Sequence, residues 1–594
     1  KETEDGVRRL GASVDWSHNM FTLDPRIIKV VYETFEQMYN DGLVYRGNRI
    51  CSWCVKHQTG LADLETVHEE RTDPLYDVRY GELEVATVRP ETIFGDAAIA
   101  VNPQDKRYQQ LIGQTMKLPA AFKNIFGFDE IKVIGDDAVD MAFGTGAVKV
   151  TPAHDPLDYE IWQRHQDEIP GPKQIITKRG KLDVPAAQSH NTKAADARKA
   201  VAEMMQAAGL IAKIDDKYKH NVSLCYKCRN VLEPLIIPQW YVAMTKEVRQ
   251  GKSLRDLAVD AVRSGEIKIE PESKEKVFMN WMENIRDWPI SRQIWWGIPI
   301  PVWYKGDEIK ISETAPGEGW VQDPDTFDTW FSSGQWPYAA LMANSEKDFK
   351  TFYPTDVMET GWDIIFFWVA RMIMFGLYKT GKIPFRQVYL HGLVRDKDRQ
   401  KMSKSKGNVI DPLGVIDTYG NDSLRMALTV NNLPGNDLPL SEDKVRGYRN
   451  FANKIWNVSR FVMQNTANPG GTGKLLPEDQ KILDEIRGLA QAITKKMDQY
   501  DFAHASEDLY HYFWHTFADK TIEAAKSRLA DDKTKPSAQR MLKEALEILL
   551  KLLHPFVPFV TETIWQLEHK DLLLIAKWPT KKAASTPKDQ GGEA

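Results

Sequence analysis

No run of about 18 apolar residues occurs anywhere in the 594-residue sequence, so nothing in it predicts a membrane-spanning helix. The richest stretch, "ALEILLKLLHPFVPFV", is broken by Lys551, His554 and two prolines. The first residues, "KETEDGVRRLG", carry neither an initiator methionine nor an apolar signal region, which leaves secretion unsupported and predicts a cytoplasmic fragment with an upstream portion missing. Excess charge of one sign is lacking too. With 78 basic against 83 acidic residues and a net charge of −5, the chain cannot coat a polyanion by bulk electrostatics, and any such contact must be local. No fixed-period repeat is visible. Disorder is excluded for most of the chain by 42% hydrophobic and 10% aromatic content, and 594 residues imply several domains.

Cysteine is scarce, but its placement is informative. The 4 cysteines form two pairs, Cys51/Cys54 in "CSWC" and Cys225/Cys228 in "CYKC". Two-residue spacing lets a tight turn aim two thiolates at one ion, and two such knuckles make a tetrahedral Cys₄ zinc site. Two redox pairs or four buried thiols are the competing readings. The long gap between the pairs predicts an inserted domain clamped at its base by the metal.

Apolar periodicity predicts a helix over 26–43 ending at Gly42, then a short strand entering the first knuckle. From about 77 to 153 short β-like runs divided by Gly, Pro and Asp predict a β-rich insert, closed by a helix before the second knuckle. Residues 230–435 mix apolar strands with amphipathic helices, an α/β layered pattern. From about 440 the periodicity is helical almost throughout, which predicts a bundle, and "KKAASTPKDQGGEA" has the composition of a disordered tail.

The stretch "KMSKSKGNVIDP" (401–412) places lysines on a glycine-terminated turn. Such a turn is either simply solvated or suited to embracing the phosphates of a nucleotide. The string KMSKS resembles the signature loop of the class I aminoacyl-tRNA synthetases, and "ETGWDIIFFWVARMIM", "SRQIWWGIPIPVW", "FDTWFSSGQWP" and "VYLHGLVRDKDRQKMSKSKGNVIDP" resemble its valyl-specific branch over about residues 5–580. The resemblance implies a multidomain α/β protein. A Rossmann-like catalytic core (1–76 and 221–435, with the knuckles) is interrupted by an editing insert (77–220). A helical anticodon-binding domain (436–580) and a tail (581–594) follow.

It further implies that Lys401 and Lys404 stabilise pyrophosphate charge as valyl-adenylate forms from valine and ATP with Mg²⁺. Gly361, Asp363, His391, Gly392, Met402, Ser403 and Ser405 would contact ATP or the adenylate, Asp363 as a carboxylate accepting ribose hydroxyls at a strand end. Trp330, Ile364 and Trp368 are either core residues or, by resemblance, the border of a small apolar pocket for valine. Such a pocket cannot strongly reject a near-isostere that adds one hydroxyl, a limit for which valine-specific synthetases are the standing example, so threonine must be removed elsewhere. By resemblance Arg89, Phe143, Lys149, Thr151, Asp155 and Asp158 line the editing pocket. There Asp158 would hold the substrate amino group, and Asp155 and Thr151 the hydroxyl or the attacking water. Asp155 before Pro156 also reads as a helix N-cap.

"KVRGYRNFANKIWNVSR" carries Lys444, Arg446, Arg449, Lys454 and Arg460 without an acid, either a solvated face or, by resemblance, an RNA-binding one. The second family signature, His-x-Gly-His, is absent from the 13 histidines, which predicts that part of the ATP site is missing. The expected partners are tRNA(Val), valine and ATP, for a monomer with no membrane contact. An isoleucyl-type synthetase, a piece active only as an editing deacylase, and a non-catalytic tRNA-binding module are the alternatives.

Overall fold

The computed structural model describes residues 2–249, 251–402, 407–466 and 474–579. Its layout follows from a few strong local signals. The first long helix, Pro25–Asn40, starts where Asp24 accepts the Arg26 amide and Pro25 supplies a preset φ. It buries Ile27, Val30, Val31, Thr34, Phe35 and Met38, one face at helical spacing. The chain leaves through Gly42 at φ +67°, one residue beyond the Asp41 cap.

Val44–Cys54 then forms an 11-residue strand paired antiparallel with Glu233–Val242, from Val44 opposite Val242 to Trp53 opposite Glu233. Everything between these two strands is an excursion from the core. It leaves and returns along a second antiparallel ribbon, Thr66–Thr72 with Lys219–Cys225. The excursion holds a three-stranded sheet (Leu75–Tyr80, Leu83–Thr87, Ile211–Asp215) and a four-stranded one (Ala98–Val101, Thr115–Lys117, Glu130–Gly135, Ala147–Val150). These enclose an apolar core of their own, with Tyr80, Phe94, Phe122 and Phe126 at its centre.

The α/β core carries three parallel strands: Phe385–His391 lies in the middle, flanked by Lys268–Glu270 and Thr355–Gly361. The helix Ala370–Thr380 is buried almost all round, which a helix covering a sheet requires, and it stops at Gly381 in the left-handed region, φ +72°. A buried ion cluster fixes the excursion to this core. Arg292 Nη2 donates to Glu65 Oε2 at 2.9 Å and to Asp328 Oδ2 at 2.8 Å, joining the stem to the element that starts Thr329–Ser333.

Helices Glu442–Thr466, Pro477–Asp498, Phe502–His511 and Lys535–Leu553 pack around Phe451, Ile455, Leu483, Ile486 and Leu542. Asp479 is fully buried and pairs with Arg528 while accepting from Ser537. Asp422 accepts the amides of Phe559 and Val560, fastening the bundle to the helices that precede it. No helix among the described residues is long and apolar enough to cross a membrane. The expected tail, 581–594, lies outside the described residues.

Candidate functional site

At the carboxyl ends of two parallel strands Gly361 stands directly opposite His391. This is the sheet edge where an α/β fold presents side chains to ligands. Asp363 is exposed and turns back over Gly361, so that a Cβ on that glycine would lie 2.6 Å from Asp363 Oδ1 and 3.7 Å from His391 Cε1. His391 Nδ1 donates to the Gly392 carbonyl at 2.7 Å, and its Nε2 lies 3.2 Å from Glu359 Oε1. Gly392 touches the next segment so closely that a Cβ there would meet the Asn436 carbonyl oxygen at 1.7 Å. Gly361, Asp363, His391 and Gly392 are therefore brought together.

Three residues not expected from the sequence complete this edge. Asp437 accepts from Trp362 Nε1 at 3.1 Å, from the Leu393 amide at 2.9 Å and from Arg395 Nε at 2.6 Å. Lys274 Nζ lies 3.9 Å above the Trp362 ring. Arg395 in turn bridges antiparallel to Lys401, whose carbonyl accepts from Asn408 Nδ2 at 3.3 Å. Lys401 is exposed and Met402 half-buried, and the hairpin that carries them is tied through Asp437 to the strand ends. Ser403, Lys404 and Ser405 lie outside the described residues.

Trp330 and Trp368 also converge. Trp368 Nε1 donates to the Ser333 carbonyl at 2.9 Å, on the short helix that holds Trp330, and Trp330 packs 5.3 Å from Phe367. Both rings and Ile364 are only partly buried, which leaves them surface to offer a ligand.

In the insert, Lys149, on the last strand of the four-stranded sheet, is buried and donates to Thr92 Oγ1 at 2.7 Å and Thr151 Oγ1 at 2.5 Å, with Asp96 Oδ1 at 3.4 Å. Thr151 donates to Asp96 at 2.6 Å, and Tyr80 donates to the other Asp96 oxygen at 2.6 Å. Asp158 accepts the Thr151 amide at 2.8 Å; burial, with Asp155 beside it, holds its carboxyl well above the usual carboxylate range. Asp155 caps Pro156–Arg164, accepting from the amides of Leu157 and Asp158. Lys149, Thr151, Asp155 and Asp158 thus form one connected group. Arg89 borders it through the His154 carbonyl at 3.3 Å but is chiefly engaged by Glu233 at 2.7 Å and Glu91 at 3.1 Å. Phe143 stands apart, 36% exposed and packed on Tyr218.

His154 is 2% exposed, takes the Ile175 amide on Nε2 at 2.9 Å and donates from Nδ1 to the Pro234 carbonyl. Burial, with Arg89 nearby, pulls its pKa from the usual 6.5 down to about 3. The folded protein keeps this ring neutral while the unfolded chain protonates, so the stability it contributes is intact above pH 6.5 and lost as pH falls from 6.5 toward 3. A shift of this size corresponds to about 4–5 kcal/mol at the acid end. Denaturant titrations at a series of pH values are expected to show His154→Gln with a flatter acid limb than the parent.

The cysteines meet at the base of the insert, with one correction. Cys54, Cys225 and Cys228 come together with His57, all four ligand atoms lying within 4.8 Å of one another, and Cys51 is not among them. Cys51 and Cys54 lie in one continuous strand, where an odd separation sends side chains to opposite faces. Cys51 faces Gln239 and the insert core instead. The true first knuckle is Cys54-x-x-His57, closed by a turn in which the Gln58 amide donates to the Cys54 carbonyl at 2.7 Å. It has the same two-residue gap as a cysteine pair, so the signal was in the sequence. Cys54 Sγ lies 3.6 Å from Cys228 Sγ and 3.5 Å from His57 Nδ1, and Cys225 Sγ lies 3.6 Å from His57 Nδ1. A tetrahedron with Zn–S of about 2.3 Å and Zn–N of about 2.0–2.1 Å needs edges of about 3.8 Å and 3.5 Å, so the donor set fits that ion.

In the bundle, Lys444 donates to the Val430 carbonyl, Arg446 pairs with Asp443 and Lys454 with Asp519. Three of the five basic residues on that face are engaged within the protein.

Comparison with known proteins adds the following. Residues 1–316 and 306–441 match the class I tRNA synthetases (I, L, M and V), and residues 479–593 match the anticodon-binding domain of tRNA ligase. The chain is 45% identical over 583 residues to a valine–tRNA ligase of Symbiobacterium thermophilum, covering 94% of this chain and 62% of that protein. With the Clostridium acetobutylicum valine–tRNA ligase it is 43% identical, over 96% of this chain and 66% of the relative. The chain thus spans less than two thirds of the length of these two relatives. Among solved structures, methionyl-tRNA synthetase of Mycobacterium tuberculosis bound by methionyl-adenylate superposes with a TM-score of 0.56 at 14% identity, covering 95% of this chain and 79% of that one. A LeuRS–tRNA–LeuAMS ternary complex from Agrobacterium radiobacter K84 gives 0.53 at 16% identity, covering 97% and 77%.

Proposed function

The chain belongs to the class I tRNA synthetases, and from that premise we propose that it takes part in attaching valine to tRNA(Val) at the expense of ATP. The observation that carries this is the convergence of Gly361, Asp363 and His391 at adjacent parallel strand ends, braced by Asp437. In this reading Asp363 accepts the ribose hydroxyls and Gly361 and His391 flank the adenosine. Trp330, Ile364 and Trp368 border the valine side chain. A valine carboxylate oxygen attacks the α-phosphorus and pyrophosphate leaves against the charge of Lys401 and Lys404; a terminal ribose hydroxyl of the tRNA then attacks the adenylate's carbonyl carbon, loses its proton and forms the ester as AMP leaves. ATP enters with Mg²⁺ as substrate, part of its site coming from a His-x-Gly-His element that these residues do not include. The domain division at 76, 220, 435 and 580, a cytoplasmic location and a monomeric state belong to the same proposal.

The insert is proposed as an editing deacylase for threonyl-tRNA(Val). A carboxyl like Asp158, whose proton affinity burial raises, ionises more readily when an ammonium group arrives beside it. With Thr151 already engaged by Lys149 and Asp96, and one Asp155 oxygen by the helix amides, the free Asp155 oxygen is the better partner for the threonine hydroxyl or water. Zinc, held by Cys54, His57, Cys225 and Cys228, is proposed as structural, since a closed four-ligand shell leaves no position for substrate.

Calorimetry with the non-hydrolysable sulfamoyl analogue of valyl-adenylate, on the protein with an upstream His-x-Gly-His element restored, tests the synthetic reading. Tighter binding than the isoleucyl analogue is expected, weakened at least about tenfold by Asp363→Ala. Preference for the isoleucyl analogue, or no binding of either, overturns it. Hydrolysis of threonyl-tRNA(Val), lost in Asp158→Ala, is the corresponding result for the insert.

A further inference from the structure

A cavity of about 400 Å³ lies where the insert meets the core, and none of the residues assigned above to the adenylate, valine or editing sites lines it. The stem strands and the helix Pro156–Arg164 form one side, and the segment from Trp281 to Pro289 forms the other. Two of its lining side chains are buried and incompletely satisfied. Arg371 is 3% exposed and Tyr241 4%, yet Arg371 Nε and the Tyr241 hydroxyl have no hydrogen-bond partner among the described residues.

Buried polar atoms of this kind are rare because each costs the desolvation of the group with nothing in return. Arg371 is the more telling of the two. Its Nη1 donates to the carbonyls of Phe366 and Phe367, and its guanidinium lies 3.8 Å over the Trp288 ring. No carboxylate among the described residues lies within ion-pair distance of it. Asp328 and Glu65 act on it only from beyond that distance, and both are already bonded by Arg292, so the unspent Nε–H of its planar fork suits an arriving anion such as phosphate.

The rest of the wall fits such a guest. Arg49 and Arg286 line the same cavity and are partly exposed, paired at 3.3 Å with Asp287 and at 3.9 Å with Glu160. Trp281, half-buried and stacked on Phe366, supplies indole surface of the kind on which a base can lie, while Trp288 is covered by Arg371 and Phe375. The volume is far too large for an isolated phosphate and lies within the range of small-ligand pockets.

We propose that this cavity is a nucleotide-binding site separate from the adenylate cleft, taking a phosphate group on Arg371 and Tyr241 and a base against Trp281. The shared chemistry is a nucleoside monophosphate, supplied either as a free mononucleotide or as the terminal nucleotide of a single-stranded RNA. The proposal goes beyond the synthetic reading and does not depend on it.

The test is calorimetric titration of the 594-residue chain with AMP, with the trinucleotide CCA and with inorganic phosphate. AMP or CCA is expected to bind, and Tyr241→Phe, which keeps the ring and its packing, to weaken binding about tenfold or more. Arg371→Lys, checked for an unchanged far-ultraviolet spectrum, should do the same. Tighter binding of CCA identifies an RNA terminus as the source; AMP binding as tightly as CCA identifies a free mononucleotide. Absence of binding by both at millimolar concentration overturns the proposal. So does phosphate binding as tightly as AMP, or AMP affinity indifferent to both substitutions.

Discussion

Replacing His57 with alanine is expected to abolish binding of the proposed zinc, whereas replacing Cys51 with serine should leave that binding in place. The contrast follows from geometry. His57 Nδ1 lies 3.5–3.6 Å from two cysteine sulfurs at the centre of the cluster, while Cys51 sits on the opposite face of its strand among apolar side chains. Residues that only hydrogen-bond a metal ligand already govern about 10–100-fold in affinity, so losing one of four ligands should cost more than about 100-fold. Structural zinc contributes about 10–16 kcal/mol in small zinc-finger peptides, a scale on which this is the largest single effect the molecule offers. Its loss falls on the base of the insert, because Cys54 ends one stem strand and Cys225 ends the returning ribbon. Elemental analysis after dialysis against a chelator, with hydrogen exchange over 44–72 and 219–242, reads both consequences. Metal retained in His57→Ala and lost in Cys51→Ser would restore the four-cysteine site and refute the mixed one.

Gly392→Ala is expected to be the most damaging single methyl group that can be added near the strand ends. Its φ is not in the left-handed region, so the obstacle is contact and not conformation. The new Cβ would stand 1.7 Å from the Asn436 carbonyl oxygen, 2.1 Å from the Asn436 carbonyl carbon and 2.6 Å from the Asp437 amide nitrogen. All three are backbone atoms, which cannot rotate away. Displacing them also displaces Asp437, and with it the bonds to Trp362, Leu393 and Arg395. Overpacking ordinarily costs 1–3 kcal/mol, and here about 3 kcal/mol or more is expected, a fall in melting temperature of several degrees or more. Binding of the valyl-adenylate analogue should fall about 100-fold or beyond, since three of the residues proposed to hold it adjoin this contact. Gly361→Ala provides the internal comparison. Its Cβ would meet only the Asp363 carboxylate, at 2.6 Å, the free end of a side chain. The fold should therefore survive that change while the carboxylate is pushed from its place. Calorimetric melting and analogue titration of both variants decide the matter; equal, mild effects on stability would show that the 436–437 segment yields easily.

Local signals carried much of this structure. Asp24-Pro25 with apolar side chains at helical spacing specified the first helix, Asp155-Pro156 specified the start of another, and sustained helical periodicity specified the C-terminal bundle. Each rests on hydrogen bonds or on a repeating apolar face within a few residues, which is why each is legible without a partner. The motif strings likewise identified Gly361, Asp363 and His391, and the structure places them side by side.

What the sequence could not decide was which face a residue presents and what meets it from afar. Cys51 and Cys54 read as a knuckle until one continuous strand, paired with Glu233–Val242 as far as Trp53 and with Thr59 at Cys54, ran through both and turned Cys51 away. Asp437, 46 positions after His391, became the clamp of the strand ends only because the chain folds back across them. Arg371 was buried beside Asp328 and Glu65, both already bonded by Arg292, and burial raised the proton affinity of Asp158, each through elements far apart in the sequence. Spacing fixes what neighbours along the chain can do together; desolvation and long-range contact, which exist only once the chain has packed, fix the rest.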